Sequence, residues 1–217
     1  MTPTILLIED HALVRAGIRS LLDSSKDVNV VGECGDGRRG LELCEELKPD
    51  IALTDIEMGG LNGIETARQI HGANEDIKII MLSMYGDPKY VFESGRAGAL
   101  GFVLKESVFA ELLDAVHTVM TGRRYFSPPL RDVVLEAYAR RARGEVIESY
   151  LDKLSTRERE TLQLIAEGKS SKQIAAILHL SARTVDAHRS NTMHKLGIDS
   201  IAGLTKFAIA HGLACPR

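Results

Sequence analysis

Five polar residues stand directly after apolar runs: Glu9 and Asp10 after "TILLI", Asp55 after "DIALT", Ser83 after "IKIIML" and Lys105 after "ALGFVL". If those runs are neighbouring strands, all five groups converge on one edge of a sheet. Three carboxylates held together repel one another and raise each other's pKa unless a hard divalent cation or an ammonium compensates them. Mg2+ suits such a set, because it prefers oxygen ligands and keeps waters that a phosphate can replace. The chemistry this predicts is phosphoryl transfer, with Asp55 as the nucleophile toward phosphorus and Glu9 and Asp10 holding the cation. The Ser83 hydroxyl and the Lys105 ammonium are then placed for the remaining phosphoryl oxygens. Gly59, Gly60 and Gly63 let the backbone turn closely around Asp55, and a main-chain carbonyl near Glu57 offers one more metal oxygen.

The elements that must position these groups alternate regularly. Strands are expected at 4–8, 28–33, 50–54, 77–82 and 99–104, with helices opening near His11, Arg38, Asn62, Asp87 and Ser107. The strands are continuously apolar, as strands covered by helices on both faces must be. The expected fold of residues 1–121 is therefore a five-stranded, doubly wound parallel sheet, whose ligands gather beyond the carboxyl ends of the strands. Gly122 and the pair Pro128-Pro129 end this alternation, and the charged stretch that follows, interrupted by Gly144, suits a linker over 122–150. Residues 151–217 are purely helical in pattern. Ser155 with Glu158, and Ser170 with Gln173, form two capping boxes; Ser181 caps a third helix reaching about Leu196, and a fourth follows Ser200. Gly168 is placed to end the first of these helices in the left-handed conformation.

The chain has 217 residues, 44% of them hydrophobic, enough for two ordinary domains. No apolar run approaches the roughly 20 residues that span a bilayer, and "MTPTILLIED" lacks a basic start and cleavage site, so a cytoplasmic protein without membrane contact is expected. Cys34, Cys44 and Cys215 form no CxxC pair and are read as reduced thiols. The net charge of −3 conceals a division: residues 1–121 carry 11 Lys and Arg against 20 Asp and Glu, whereas residues 122–217 carry 16 against 10. A basic second half suits a polyanionic partner. On its third helix, Val185, Thr192 and Leu196 follow core spacing, while Arg183, Asp186, Ala187, Ser190 and His194 form the opposite, small and polar stripe. A helix with that face fits a major groove.

The set "IEDH", "TDIEMGGLNG", "MLSMYG" and "GFVLKES" resembles the receiver domain of two-component response regulators over residues 3–121. The segments "TRERE", "IAEGKSSKQIA", "LSARTVDAH" and "KLGI", in that order, resemble the LuxR-type helix-turn-helix domain over about residues 151–212. Together the chain resembles a response regulator of the NarL/FixJ subfamily. The resemblance implies a phosphoryl group accepted on Asp55 from a sensor histidine kinase with Mg2+, and an aromatic switch at Phe102 that rotates as Ser83 is drawn to the phosphate. It implies a homodimer on double-stranded promoter DNA, with Asp186, Ala187 and Ser190 facing bases and Thr184, Arg189 and Lys195 contacting or orienting phosphates; Arg183 lies on the same stripe. The exposed part of the last helix, around Leu204 to Ala208, is the expected dimer surface. Met58-Gly59 departs from the family's frequent Met-Pro, and Thr161 and Thr192 replace aliphatic residues.

Two other functions fit parts of the pattern. A Mg2+-dependent aspartyl phosphatase would share the pocket, but Asp55-Ile56-Glu57 does not supply an Asp-x-Asp pair and no substrate cap is legible. A DNA-binding regulator controlled by a partner, without phosphorylation, would share the second domain.

Overall fold

The computed structural model describes residues 2–84, 86–132, 134–136 and 150–214. The chain divides into two compact units, residues 1–143 and 144–217.

In the first unit, strands β1 (Thr4–Ile8), β2 (Asn29–Cys34), β3 (Ile51–Asp55), β4 (Lys78–Ser83) and β5 (Gly101–Leu104) alternate with helices α1 (Ala12–Ser24), α2 (Gly37–Leu47), α3 (Gly63–Ala73), α4 (Pro88–Arg96) and α5 (Val108–Met120). The strand order is β2-β1-β3-β4-β5-β6 and every pairing is parallel. The expected five strands are thus six. The added strand, β6 (Tyr125–Phe126), pairs Tyr125 with Gly101 and Phe126 with Phe102. It lies within the stretch expected to be linker; of that stretch, residues 137–149 are outside the described residues. Two residues following a glycine turn carry no periodicity, so no sequence pattern distinguishes such an edge strand from a loop.

Side chains alternate across the sheet. Ile5, Leu7, Leu53, Leu82 and Val103 pack with Leu112, Val116 and Val119 of α5 and Ile18 and Leu22 of α1. Leu6, Ile8, Ala52 and Met81, at the intervening positions, are also fully buried, which accounts for strands without polar alternation. Three helices open on side-chain caps from short polar residues: Asp36 accepts from the N–H groups of Arg38 and Arg39, Asn62 from Glu65 and Asp87 from Lys89.

The second unit holds α6 (Thr156–Ala166), α7 (Ser171–Leu178), α8 (Ala182–Leu196) and α9 (Ile201–Ala210), the four expected helices. Both capping boxes are formed, and Gly168 takes φ +81°. Leu162, Leu164, Ile174, Leu178, Val185, Leu204 and Ala208 share one core. Leu204 and Ala208 are fully buried, which removes them from the exposed surface expected of the last helix; the side chains of α9 that face outward include Ile201, Ala202 and Lys206. An i, i+4 apolar pair marks the buried stripe of a helix.

Candidate phosphoacceptor pocket and nucleic-acid interface

Parallel pairing brings the strand ends level. Ile8 stands beside Thr54, Asp55 beside Leu82, and Ser83 beside Leu104. Beyond Ile8, the Glu9 N–H still donates to the Cys34 carbonyl at 3.0 Å, which holds Glu9 at the rim of the sheet. The pocket therefore opens where β1 has partners on both sides, at the switch in strand order. Gly63 is required here, because a Cβ on it would overlap the carbonyl of Asp55. Its N–H donates to Ile56 O at 3.0 Å, and Gly60, at φ +82°, completes the turn.

Glu9 and Asp55 are 0% and 1% exposed, and the Lys105 ammonium lies between them, 2.8 Å from Glu9 Oε2 and 2.9 Å from Asp55 Oδ2. Burial and then the Asp55 charge push the Glu9 carboxyl above its usual range, and Lys105 restrains the rise. Burial alone would lower the lysine, but Asp55 and Glu9 outweigh it and leave its pKa raised. The cluster thus favours a charged ammonium at neutral pH. Among the described residues neither Asp55 oxygen makes a hydrogen bond of good geometry, and Oδ1 makes no ion pair either. A buried carboxylate oxygen in that condition is costly unless a ligand completes it. Oxygens of Glu9, Asp10 and Asp55 and a ring nitrogen of His11 all lie within 4.8 Å of one another, a donor set that fits a hard divalent cation.

The expected site residues fare differently. Glu9, Asp10, Asp55 and Lys105 come together. Ser83 is fully buried at the end of β4, and Phe102 is buried in β5 between Met81 and Phe126. Glu57 follows Asp55 in the loop, half-buried, and its side chain is not among the clustered ligand atoms. Two residues join that were not among the expected site residues: Arg15, and His11, whose place beside the acidic pair but at the start of a helix suggests a surface residue. His11 Nδ1 sits 2.8 Å from Asp10 Oδ1, and the Arg15 guanidinium donates to the Glu9 carbonyl at 2.6 Å. Adjacency to "ED" is the one signal that points to His11.

In the helical unit, Ser181 caps α8 through the Thr184 N–H, and the two hydroxyls are 2.8 Å apart. Arg183, Asp186, Ala187 and Ser190 are exposed. Asp186 Oδ1 accepts from Ser171 Oγ of α7 at 2.9 Å and pairs with Arg189 at 3.1 Å. Lys195 Nζ lies 2.7 Å from Glu158 Oε2, so it also ties α8 to the capping box of α6.

Comparison with known proteins agrees with this geometry. Residues 5–117 match the family model of the response regulator receiver domain, and residues 152–208 that of bacterial regulatory proteins of the luxR family. A receiver joined to a LuxR-type helix-turn-helix unit defines a class of transcription regulator. The chain is 35% identical to the transcriptional regulatory protein MctR of Rhizobium johnstonii, over 96% of this chain and 94% of that protein. It is 35% identical to the nitrate/nitrite response regulator NarL of Escherichia coli, over 91% and 90%. Among solved structures, a LuxR-family response regulator from Aurantimonas sp. aligns at TM-score 0.61 and 32% identity, covering 64% of this chain and 99% of that one. RcsB from Salmonella enterica serovar Typhimurium, bound to a promoter in the presence of phosphomimetic BeF3-, aligns at TM-score 0.59 and 26% identity, covering 95% and 98%. The chain belongs to the two-component response regulators of the NarL/FixJ subfamily. Among the described residues no helix is long and apolar enough to cross a membrane.

Proposed function

We propose that this regulator binds promoter DNA under the control of a phosphoryl group that Asp55 accepts from a sensor histidine kinase. The observation that carries the reading is the buried Asp55 carboxylate, held at Oδ2 by Lys105 and with no hydrogen-bond partner at Oδ1 among the described residues. An Asp55 oxygen attacks phosphorus, the P–N bond to the kinase imidazole breaks, and its electrons remain with the departing imidazole. Glu9, Asp10, Asp55 and the main-chain carbonyl at Glu57 would hold Mg2+, which supplies charge neutralisation on the phosphoryl oxygens when bound. Lys105 exchanges part of its contact with Glu9 for a phosphoryl oxygen, and the Ser83 hydroxyl donates to another. Phe102, packed beside Met81 at the same sheet edge, then rotates as Ser83 moves.

The DNA surface is α8, with Ala187 and Ser190 at the bases, Arg183, Thr184 and Arg189 at phosphates, and Lys195 orienting the helix from its contact with α6. A homodimer places two such helices on neighbouring half-sites. The protein acts in the cytoplasm, where kinase and promoter are both within reach.

The test is phosphate-affinity electrophoresis after exposure to a small phosphodonor with Mg2+, together with duplex binding. A retarded species that disappears in Asp55→Ala, and DNA affinity that changes with it, are the expected results. An unmodified chain whose DNA affinity ignores the phosphodonor would return control to a protein partner, and sustained release of inorganic phosphate from a phosphomonoester would make it a phosphatase.

A further inference from the structure

Resting on the reading that α8 enters the DNA groove, we infer that Asp186 is a positioning residue that holds Arg189 for the DNA backbone, and that it does not read a base. Three groups close a triangle across α7 and α8. Ser171 Oγ donates to Asp186 Oδ1 at 2.9 Å, Arg189 pairs with the same oxygen at 3.1 Å, and a second Arg189 nitrogen donates to Ser171 Oγ at 3.2 Å. Ser171 lies 15 residues from Asp186 and 18 from Arg189 in sequence, so the triangle also fixes the first turn of α7 against the middle of α8.

The chemistry of the groups favours this role. A carboxylate on a helix entering a groove repels phosphates unless a cation neutralises it, and Arg189 does so here. The guanidinium has five N–H donors in a rigid fork, and the triangle uses two of its nitrogens from one side. Its remaining donors are thereby aimed from a fixed place. A lone exposed ion pair on a helix would not hold an arginine in this way. The hydroxyl of Ser171, bonded to both partners and anchored on a second helix, supplies the third point. Asp186 Oδ2 is outside the triangle, and a cytosine amine donating to it is the competing arrangement.

The two arrangements differ in what they do to sequence preference. The full chain and its variants Asp186→Ala, Arg189→Ala, Ser171→Ala and the Asp186→Ala/Arg189→Ala double are used to select from duplexes with a randomised centre, and affinities for the recovered duplexes are measured. Asp186→Ala is expected to recover the same sequences as the parent chain. Arg189→Ala is expected to weaken all recovered duplexes by one common factor, roughly tenfold. In the Asp186→Ala background that factor should fall toward one, with Ser171→Ala intermediate. A changed base at one position of the Asp186→Ala pool, or an Arg189→Ala factor equal in both backgrounds, overturns the inference. Without DNA, the Arg189 guanidinium protons should exchange slowly in the parent chain and fast in Asp186→Ala. If the parent chain retains no duplex, the groove reading fails, and this exchange difference still decides whether Asp186 fixes Arg189; equal exchange in both overturns it.

Discussion

Two threonines show how one hydroxyl is tolerated or not according to its neighbours. Thr161 and Thr192 both occupy core positions and are 0% and 1% exposed. Thr192 Oγ1 donates to the His188 carbonyl at 2.8 Å, the back-bond open to a threonine inside a helix. Thr161 Oγ1 has no hydrogen-bond partner among the described residues. A buried, unsatisfied hydroxyl costs about 1–3 kcal/mol. Thr161→Val should therefore stabilise the helical unit by about 1 kcal/mol, and Thr192→Val by less or not at all, as read from urea midpoints. Equal shifts would show that the orphaned hydroxyl is not the cause.

Glu158 answers to pH through its neighbours. Burial would raise its carboxyl, but Lys195 and the Ser155 cap outweigh burial and leave it below the ordinary 4.5. A depressed carboxylate stabilises the fold above its unfolded value and loses that contribution as pH falls through the folded one. The helical unit should thus hold its denaturant midpoint down to about pH 4.5 and lose it below, whereas Glu158→Gln should start lower and show a flatter acid limb. Parallel acid limbs in the two proteins would contradict the assignment. Glu158 was legible as a capping residue because the Ser-x-x-Glu spacing is local. Its pairing with Lys195 was not, since contacts 37 residues apart leave no periodic trace.

Among the described residues, the long strands announce themselves by apolar runs and most of the main helices by polar caps, and the strand ends disclose the pocket because parallel pairing levels them. β6 carries neither signal; Tyr125 packs against the core, and polar contacts fasten the segment further. Leu104 N donates to Ser127 Oγ at 3.0 Å, and Ser127 Oγ in turn donates to Glu111 Oε2 at 2.5 Å. The Tyr125 hydroxyl donates to that carboxylate oxygen at 3.2 Å, and burial, then Glu111, push its pKa up to about 12. Ser127 is fully buried and binds the residue immediately before Lys105, so the segment leaving the sheet is fastened to the strand that delivers the pocket's ammonium. Ser127→Ala strands a buried Leu104 N–H and removes one donor from Glu111. It should cost about 1–3 kcal/mol in urea unfolding of the receiver unit. Ser127→Thr, which keeps the hydroxyl, should recover part of the loss; a neutral alanine variant would mean that water satisfies both groups.

For the molecule as a whole, the question is whether the acidic unit, with Asp55 as its proposed phosphoacceptor, and the basic unit, with α8 as its proposed groove helix, exchange free energy. Thermodynamic linkage makes that measurable without knowing the path. If a phosphoryl mimic at Asp55 changes duplex affinity by some factor, the duplex must change the mimic's affinity by the same factor. Coupling of this kind typically amounts to about 5–150-fold. Beryllofluoride with Mg2+ is a suitable mimic because it binds reversibly, whereas a phosphodonor reacts. The expected result is two equal factors above about five, one from duplex titrations with and without beryllofluoride and one from beryllofluoride titrations with and without saturating duplex. Asp55→Ala should abolish beryllofluoride binding and reduce the duplex factor to one. Duplex affinity also falls as salt rises, since each phosphate contact releases counterions, so both titrations belong at one ionic strength. Factors of one in the parent chain, with beryllofluoride demonstrably bound, would leave a receiver that binds its ligand and a helix that binds DNA with no energetic connection between them. Control would then have to come from assembly with another protein.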